Sequence, residues 1–93
     1  MINRVVVTAR AAKDLTRIPV QITRKLRGWA SAVETFGLEE VRKVPGYHDE
    51  PLKGDRADQR SIRLNRAYRA IYVIGRDGAV EFVSVEEVNK HDY

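Results

Sequence analysis

The spacing of hydrophobic residues changes twice along the chain, and each change predicts a different kind of element. Residues 3–8 alternate around Val5 and Val7, which predicts a first strand. Over residues 9–36 the apolar side chains recur every three or four positions, as in helices that bury one stripe. Over residues 60–88 the alternation returns. The predicted order of elements is therefore β-α-α-β-β-β.

Pro19 divides the helical stretch in two. The first helix is predicted from residue 9 to about 17 with Thr8 as its N-cap, and the second from Pro19 to about 36. Gly28 lies inside the second helix, where glycine costs about 1 kcal/mol relative to alanine, so we expect another element to approach it closely. The predicted buried stripe of the second helix consists of Ile22, Leu26, Trp29, Ala30, Val33 and Phe36.

The C-terminal half reads as a meander. Strands are predicted at residues 60–64, 68–74 and 80–88, with a type I′ turn at Asp77-Gly78 between the last two. Before them, residues 38–44 are expected to add one or two helical turns, and the polar residues 47–58 to be mostly irregular. The whole chain, 1–93, is predicted to be one α+β domain in which two N-terminal helices pack on a mainly antiparallel sheet.

Composition excludes several classes of site. The chain has no cysteine, which removes disulfides and thiolate chemistry, and its two histidines lack metal-ligand spacing. We therefore expect no metal and no cofactor. The apolar runs are too short for a membrane span, and no signal-peptide pattern opens the chain, so a cytoplasmic location is expected.

Charge is unevenly distributed, although the net charge is only +4. Residues 53–76 carry seven basic side chains and two acids, whereas residues 77–93 are acidic. A basic cluster on adjacent strands favours an anionic partner. The alternative is that the cluster is an ordinary solvated surface whose charge distribution arose by chance. The predicted phosphate-binding residues are Lys53, Arg56, Arg60, Arg63 and Arg66.

Arg63 and Arg69 flank a tight connection between two predicted strands, so their guanidinium groups are expected to converge on one face. Convergent guanidiniums suit bidentate recognition of phosphate. Surface ion pairs with Glu81 or Asp58 are the alternative. Arg69 lies in an otherwise apolar strand, where burying its charge would carry a cost that favours a functional role.

The end of the chain is a second dense cluster of reactive groups, unless it is merely a frayed terminus. Scission of RNA by its own 2′-hydroxyl requires a base, cations for the phosphorane charge and an acid for the 5′-oxygen. Glu50 or His91 could be the base and Arg69 the cation. His91, Asp92 or Tyr93 could be the acid or a stacking platform.

Three stretches resemble the RelE/ParE toxin superfamily, namely residues 50–55, residues 63–72 and the terminal residues 91–93. The chain looks most like the YoeB-like and HigB-like mRNA interferases of bacterial type II toxin–antitoxin modules. The resemblance implies a microbial-RNase-like α+β fold. It also implies the activity of a metal-independent endoribonuclease that cleaves mRNA on the ribosome.

The resemblance also implies roles for individual residues. Glu50, immediately before Pro-Leu-Lys, occupies the place of the YoeB-like base, and Arg69 that of the arginine that stabilises the phosphate. Asp92-Tyr93 is similar to the HigB-like terminus, whereas His91 is displaced by one position from the YoeB-like histidine. His48 matches loosely a HigB-like loop histidine.

The implied partners are a cognate antitoxin, mRNA and the ribosome, with DNA contacted only through the antitoxin. The acidic stretch 77–93 leads us to expect a basic antitoxin segment near the site, and charge reversal at Glu86 and Glu87 would test this.

Two other functions remain open. ParE-like members of the same superfamily inhibit DNA gyrase without being nucleases, and a degenerate relative would only bind its antitoxin or RNA. One fold hosts all three, so the fold alone does not decide. The set Glu50, Arg69, His91, Asp92 and Tyr93 favours the ribonuclease.

Overall fold

The computed structural model describes residues 1–90, and it confirms an α+β fold with helices packed on one sheet. The main elements, in chain order, are β1 (Val5–Val7), α1 (Ala9–Leu15), α2 (Val20–Phe36), α3 (Leu38–Val41), β2 (Glu50–Pro51), β3 (Arg60–Arg63), β4 (Tyr68–Asp77) and β5 (Val80–Lys90). Short 3-10 turns lie at Pro45–Tyr47 and Gly54–Arg56. All six predicted elements are present, and α3 supplies the expected extra helical turn.

The predicted irregular segment 47–58 contains a strand that the sequence pattern missed. Glu50 and Pro51 pair with Ser61 and Arg60 of β3. A two-residue strand is too short for its alternation to be recognised, and it forms because β3 offers a free edge. The sheet therefore has five strands.

The five strands lie in the order β1-β5-β4-β3-β2. β1 runs parallel to β5, and the other neighbours are antiparallel, so the sheet is mainly antiparallel as predicted. The pairing of β4 with β5 shifts between Ile71 and Tyr72, which face Glu87 and Val85. Glu86 is left over, and the strand is bulged there.

α2 covers one side of the sheet, which we call the helix face. Its buried side chains are Ile22, Leu26, Trp29 and Val33. The Trp29 ring lies 5.4 Å from that of Tyr72, tilted by 42°. These residues form one core with Ile62, Ala70, Val83, Val85 and Val88 of the sheet and with Leu64, which follows β3.

Phe36 does not extend the buried stripe as predicted, because its side chain is 63% exposed. It is the last residue of α2, and Gly37, at φ 88°, redirects the chain immediately after it. Leu38 is fully buried instead. The turn at Gly37 thus moves the apolar contact two positions along the chain.

The expectation of a close neighbour at Gly28 is also wrong. A methyl group built there would meet no atom within 4 Å beyond its chain neighbours and the adjacent turns of its own helix backbone, and the residue is exposed. Gly28 lies on the solvent side of α2, so no packing reason for glycine exists in the described chain.

The β4–β5 hairpin has a different turn from the predicted one. Asp77 pairs with Val80, so the two turn residues are Gly78 and Ala79. Gly78 has φ 60°, and Ala79 is not among the residues with positive φ. A type I′ turn requires positive φ at both positions, whereas a type II′ turn has glycine at the first.

The side of the sheet opposite the helices, here called the site face, is partly covered by residues 52–59. Ser61, Ile71 and Glu87 are neighbours across β3, β4 and β5. Ile71 is fully buried although it lies away from the main core. Arg56 precedes β3 yet reaches Glu87 on β5, so the segment crosses this face. None of the helices within residues 1–90 is long and apolar enough to span a bilayer.

Candidate functional site

A cavity of about 310 Å³ opens between the segment that contains β2 and the adjoining ends of β3 and β4. Its lining residues are His48, Glu50, Pro51, Leu52, Lys53, Ser61, Ile62, Arg63, Asn65, Tyr68 and Arg69. The cavity therefore contains one carboxylate, one imidazole, one phenol and three side chains that are cationic at neutral pH.

Strand pairing explains why Glu50 and the two arginines share this cavity. Glu50 pairs with Ser61, and paired residues of antiparallel strands point to the same face. Ser61 and Arg63 are two positions apart on β3, so they share that face as well. Arg63 in turn pairs with Arg69. The pairing of β2 thus brings the carboxylate of Glu50 to the arginine-bearing face.

The predicted convergence of Arg63 and Arg69 is confirmed, because the two residues lie directly opposite each other on β3 and β4. Two like charges at such a position repel each other unless an anion lies between them. Within residues 1–90 neither arginine forms an ion pair, and Glu81 pairs instead with Arg76 at 3.4 Å. The alternative of ion pairs with Glu81 or Asp58 is therefore wrong.

A hydrogen bond to β5 orients the side chain of Arg69. Its Nε donates to Oδ1 of Asn89 at 3.2 Å. The two terminal amino groups of Arg69 have no acceptor among residues 1–90, and the residue is half-buried at the cavity. A guanidinium held at Nε presents the edge that can bind phosphate through two hydrogen bonds.

Arg60 does not belong with the predicted phosphate-binding residues. It pairs with Tyr72, which lies in the core, so it points to the helix face. Its Nε donates to Oδ1 of Asp49 at 2.6 Å. The prediction is wrong for Arg60, since alternation along β3 separates it from Arg63.

Arg56 is also engaged within the chain. Its terminal amino group donates to Oε2 of Glu87 at 3.2 Å, and its Nε to Gln59 at 2.8 Å. The carboxylate of Glu87 is only 13% exposed. Glu87, one of the acids in the stretch expected to face the antitoxin, is thus engaged within the chain. Glu86 likewise accepts a hydrogen bond from Ser84.

Of the remaining predicted cations, Lys53 lines the cavity and Arg66 does not. Arg66 is exposed in the connection between β3 and β4. The seven basic residues of 53–76 therefore divide into three cavity cations, three paired arginines (Arg76 pairs with Glu81) and one exposed arginine beyond the rim.

Asp49 is a structural centre that the sequence analysis missed. Its side chain is 1% exposed and accepts hydrogen bonds from Arg60 and from the Tyr72 hydroxyl, at 2.5 Å for the latter. Burial and the hydrogen bond to Asp49 raise the pKa of Tyr72 to about 12. Asp49 lies between two cavity residues, His48 and Glu50, and so anchors the segment that carries both.

His48 reaches the cavity through an unusual backbone conformation, with φ 46° and ψ 49°. Left-handed geometry is uncommon outside glycine, and it clusters at functional sites. Among the described residues, His48 alone adopts it without being glycine. His48, which matches the HigB-like loop histidine only loosely, thus lies at the cavity.

The predicted site residues His91, Asp92 and Tyr93 lie outside the described residues. Within residues 1–90, no group of three histidine, cysteine, aspartate or glutamate side chains is placed to hold a metal ion. The arrangement that remains can bind an anion through three cations and can accept a proton at Glu50 or His48.

Solved toxin structures align with this chain over nearly its whole length. The YoeB/ParE toxin from Agrobacterium tumefaciens aligns with a TM-score of 0.66 at 21% identity, over 96% of this chain and 99% of that chain. YafQ from E. coli aligns with a TM-score of 0.73 at 14% identity, over 96% and 93%. A chain of the toxin–antitoxin complex RelBE2 from Mycobacterium tuberculosis aligns with a TM-score of 0.66 at 22% identity, over 98% and 100%.

These alignments cover nearly the whole of both chains and define the fold as that of RelE-like toxins. No protein-family model matches the sequence, and no curated protein matches it either. At these identities the likeness establishes the fold, while the activity has to be argued from the site.

Proposed function

We propose that this protein is the toxin of a bacterial type II toxin–antitoxin module, and that it is a metal-independent endoribonuclease that cleaves mRNA on the ribosome. The observation that carries the proposal is the cavity in which Glu50 shares the site face with the opposed pair Arg63 and Arg69. The toxin fold supports the class, and the cavity supports the chemistry.

The proposed reaction is attack of the RNA 2′-hydroxyl on the adjacent phosphorus, which forms a 2′,3′-cyclic phosphate and releases the 5′-oxygen. Glu50 accepts the proton of the 2′-hydroxyl, and His48 or His91 is the alternative base. Arg69 and Arg63 stabilise the negative charge that develops on the phosphorane oxygens. His91, Asp92 or Tyr93 donates the proton to the leaving 5′-oxygen.

Lys53 extends the proposed phosphate contacts along the RNA backbone, because it lines the same cavity. Tyr68 offers a partly exposed aromatic ring at the cavity, and unpaired bases stack on such rings. Arg66 remains a candidate for a backbone contact beyond the cavity, since its side chain is exposed.

An antitoxin is the proposed protein partner. The RelBE2 structure is described as a toxin–antitoxin complex, and its aligned chain is covered in full. The exposed arginine and lysine side chains around the cavity would attract an acidic antitoxin segment more readily than a basic one.

Inhibition of gyrase is the alternative, since the Agrobacterium structure carries both the YoeB and the ParE name. Primer extension on cellular transcripts after induction, with gyrase supercoiling assayed in parallel, separates the two. We expect discrete cuts within translated codons and unchanged supercoiling. Intact transcripts together with loss of supercoiling would overturn the ribonuclease proposal.

A further inference from the structure

A line of hydrogen bonds across the site face ends at Arg69. Arg56 donates to Oε2 of Glu87 at 3.2 Å, and Nδ2 of Asn89 donates to Oε1 of Glu87 at 2.7 Å. Nε of Arg69 donates to Oδ1 of Asn89 at 3.2 Å. We propose that Asn89, held by Glu87, is a positioning residue that aims the guanidinium of Arg69 at the RNA phosphate without neutralising it. This inference rests on the function proposed above.

The orientation of the Asn89 amide follows from its two neighbours. Its oxygen faces the Nε–H of Arg69, and its amino group faces the carboxylate of Glu87. Rotating the amide by half a turn would set donor against donor and acceptor against acceptor. Glu87 therefore determines which amide atom Arg69 meets, and a lone asparagine could not do so.

The neutrality of Asn89 matters for binding an anion. A carboxylate in its place would also accept from Arg69, but it would offset the positive charge that attracts phosphate. The charge of Glu87 is instead opposed by Arg56 and, at 3.7 Å, by the exposed Arg10. The neutral amide of Asn89 thus orients Arg69, while the charge of the Glu87 carboxylate is balanced by Arg56 on its other side.

The β-bulge places Asn89 in this position. Tyr72 pairs with Val85, so an unbroken ladder would bring Val88 opposite Arg69. The extra residue at Glu86 shifts the register by one, and Asn89 becomes the partner of Arg69. A shift of one residue reverses which face a side chain occupies, and bulges are common beside active sites. The bulge thereby puts Glu87 and Asn89 on the site face.

The test compares wild-type protein with Asn89→Ala and Asn89→Asp, with Asn3→Ala as a matched control at an exposed position. Cleavage of mRNA on purified ribosomes gives kcat and KM. The Asn89→Ala variant should lower kcat about 10- to 100-fold with KM changed less than about threefold, because the cation is present but misaimed. The Asn89→Asp variant keeps the acceptor and should raise KM instead. Equal kcat and KM in all four proteins would overturn the inference.

A second readout separates this inference from the proposed function. The Nε–H signal of Arg69 in NMR reports its hydrogen bond directly, and inorganic phosphate serves as the probe. Phosphate should shift this signal at a lower concentration in wild type than in Asn89→Ala, even if the wild type cleaves no RNA. An Nε–H signal and a phosphate affinity that are the same in wild type and Asn89→Ala would refute positioning, whatever the protein does to RNA.

Discussion

Arg60 and Asp49 form a partly buried ion pair on the helix face, with Nε of Arg60 2.6 Å from Oδ1 of Asp49. The Asp49 side chain is 1% exposed and that of Arg60 is 27% exposed. This pair fixes the short segment that places His48 and Glu50 at the cavity. An ion pair on the helix face thus positions residues of the cavity on the site face.

Replacing Asp49 with asparagine should destabilise the protein by about 2–3 kcal/mol. The change leaves Arg60 partly buried without its counter-charge, which costs more than the pair itself contributes. Urea unfolding followed by circular dichroism measures the loss. The exposed Asp77→Asn serves as control and should stay within about 0.5 kcal/mol of wild type. An equally stable Asp49→Asn protein would show that the segment is anchored elsewhere.

The free energy of unfolding should fall between about pH 10 and pH 12 because of Tyr72. Burial and the hydrogen bond to Asp49 raise the pKa of Tyr72 to about 12, from an ordinary value of 10.0. A raised pKa in the folded state gives stability that is complete below pH 10 and is lost as pH rises through about 12. Unfolding measured at several pH values should show a smaller decline in Tyr72→Phe. Parallel curves for the two proteins would contradict this.

Glu50→Gln should lower kcat for RNA cleavage by about 10²- to 10⁴-fold, the usual effect of removing a general base. Glu50 is exposed, so the thermal midpoint should hardly change. Glu40→Gln, at an exposed position on α3, is the matched control. Single-turnover cleavage measures the chemical step. If Glu50→Gln retains full activity, the base is another residue, and His48→Gln becomes the variant to examine.

Gly28→Ala should stabilise the protein by about 0.5–1 kcal/mol. Alanine is the better helix former, and beyond its chain neighbours and the local helix backbone the added methyl group would meet nothing within 4 Å. Thermal unfolding of this variant beside wild type gives the difference. Destabilisation would mean that Gly28 has a packing role in the isolated chain.

Periodicity was sufficient to predict the helices, the main strands and the convergence of Arg63 with Arg69. The same periodicity, applied to Arg60, would have placed it with Ile62 on the helix face. Its partner Asp49 could not be predicted, because a buried carboxylate and an exposed one look alike in sequence. Sequence likewise does not distinguish arginines that have partners within the chain from those that are free to bind an anion.

The role of Asn89 was likewise beyond sequence reasoning, since it depends on the extra residue at Glu86. A bulge requires no particular residue type and hardly disturbs the alternation of a strand, so the sequence pattern does not reveal it. Alternation counted from Val83 would have placed Asn89 on the helix face. The short β2, which brings Glu50 to the cavity, was hidden because two residues cannot show a period.

Cleavage of a ribosome-bound mRNA by purified protein, with wild type, Arg69→Ala and Arg76→Ala compared, tests the central claim most directly. Arg76 is on the same strand but pairs with Glu81 outside the cavity, so it controls for the loss of one positive charge. We expect wild type and Arg76→Ala to cut at the same codons, and Arg69→Ala to lose at least about 10²-fold in rate. Cleavage by Arg69→Ala at the wild-type rate would contradict the account.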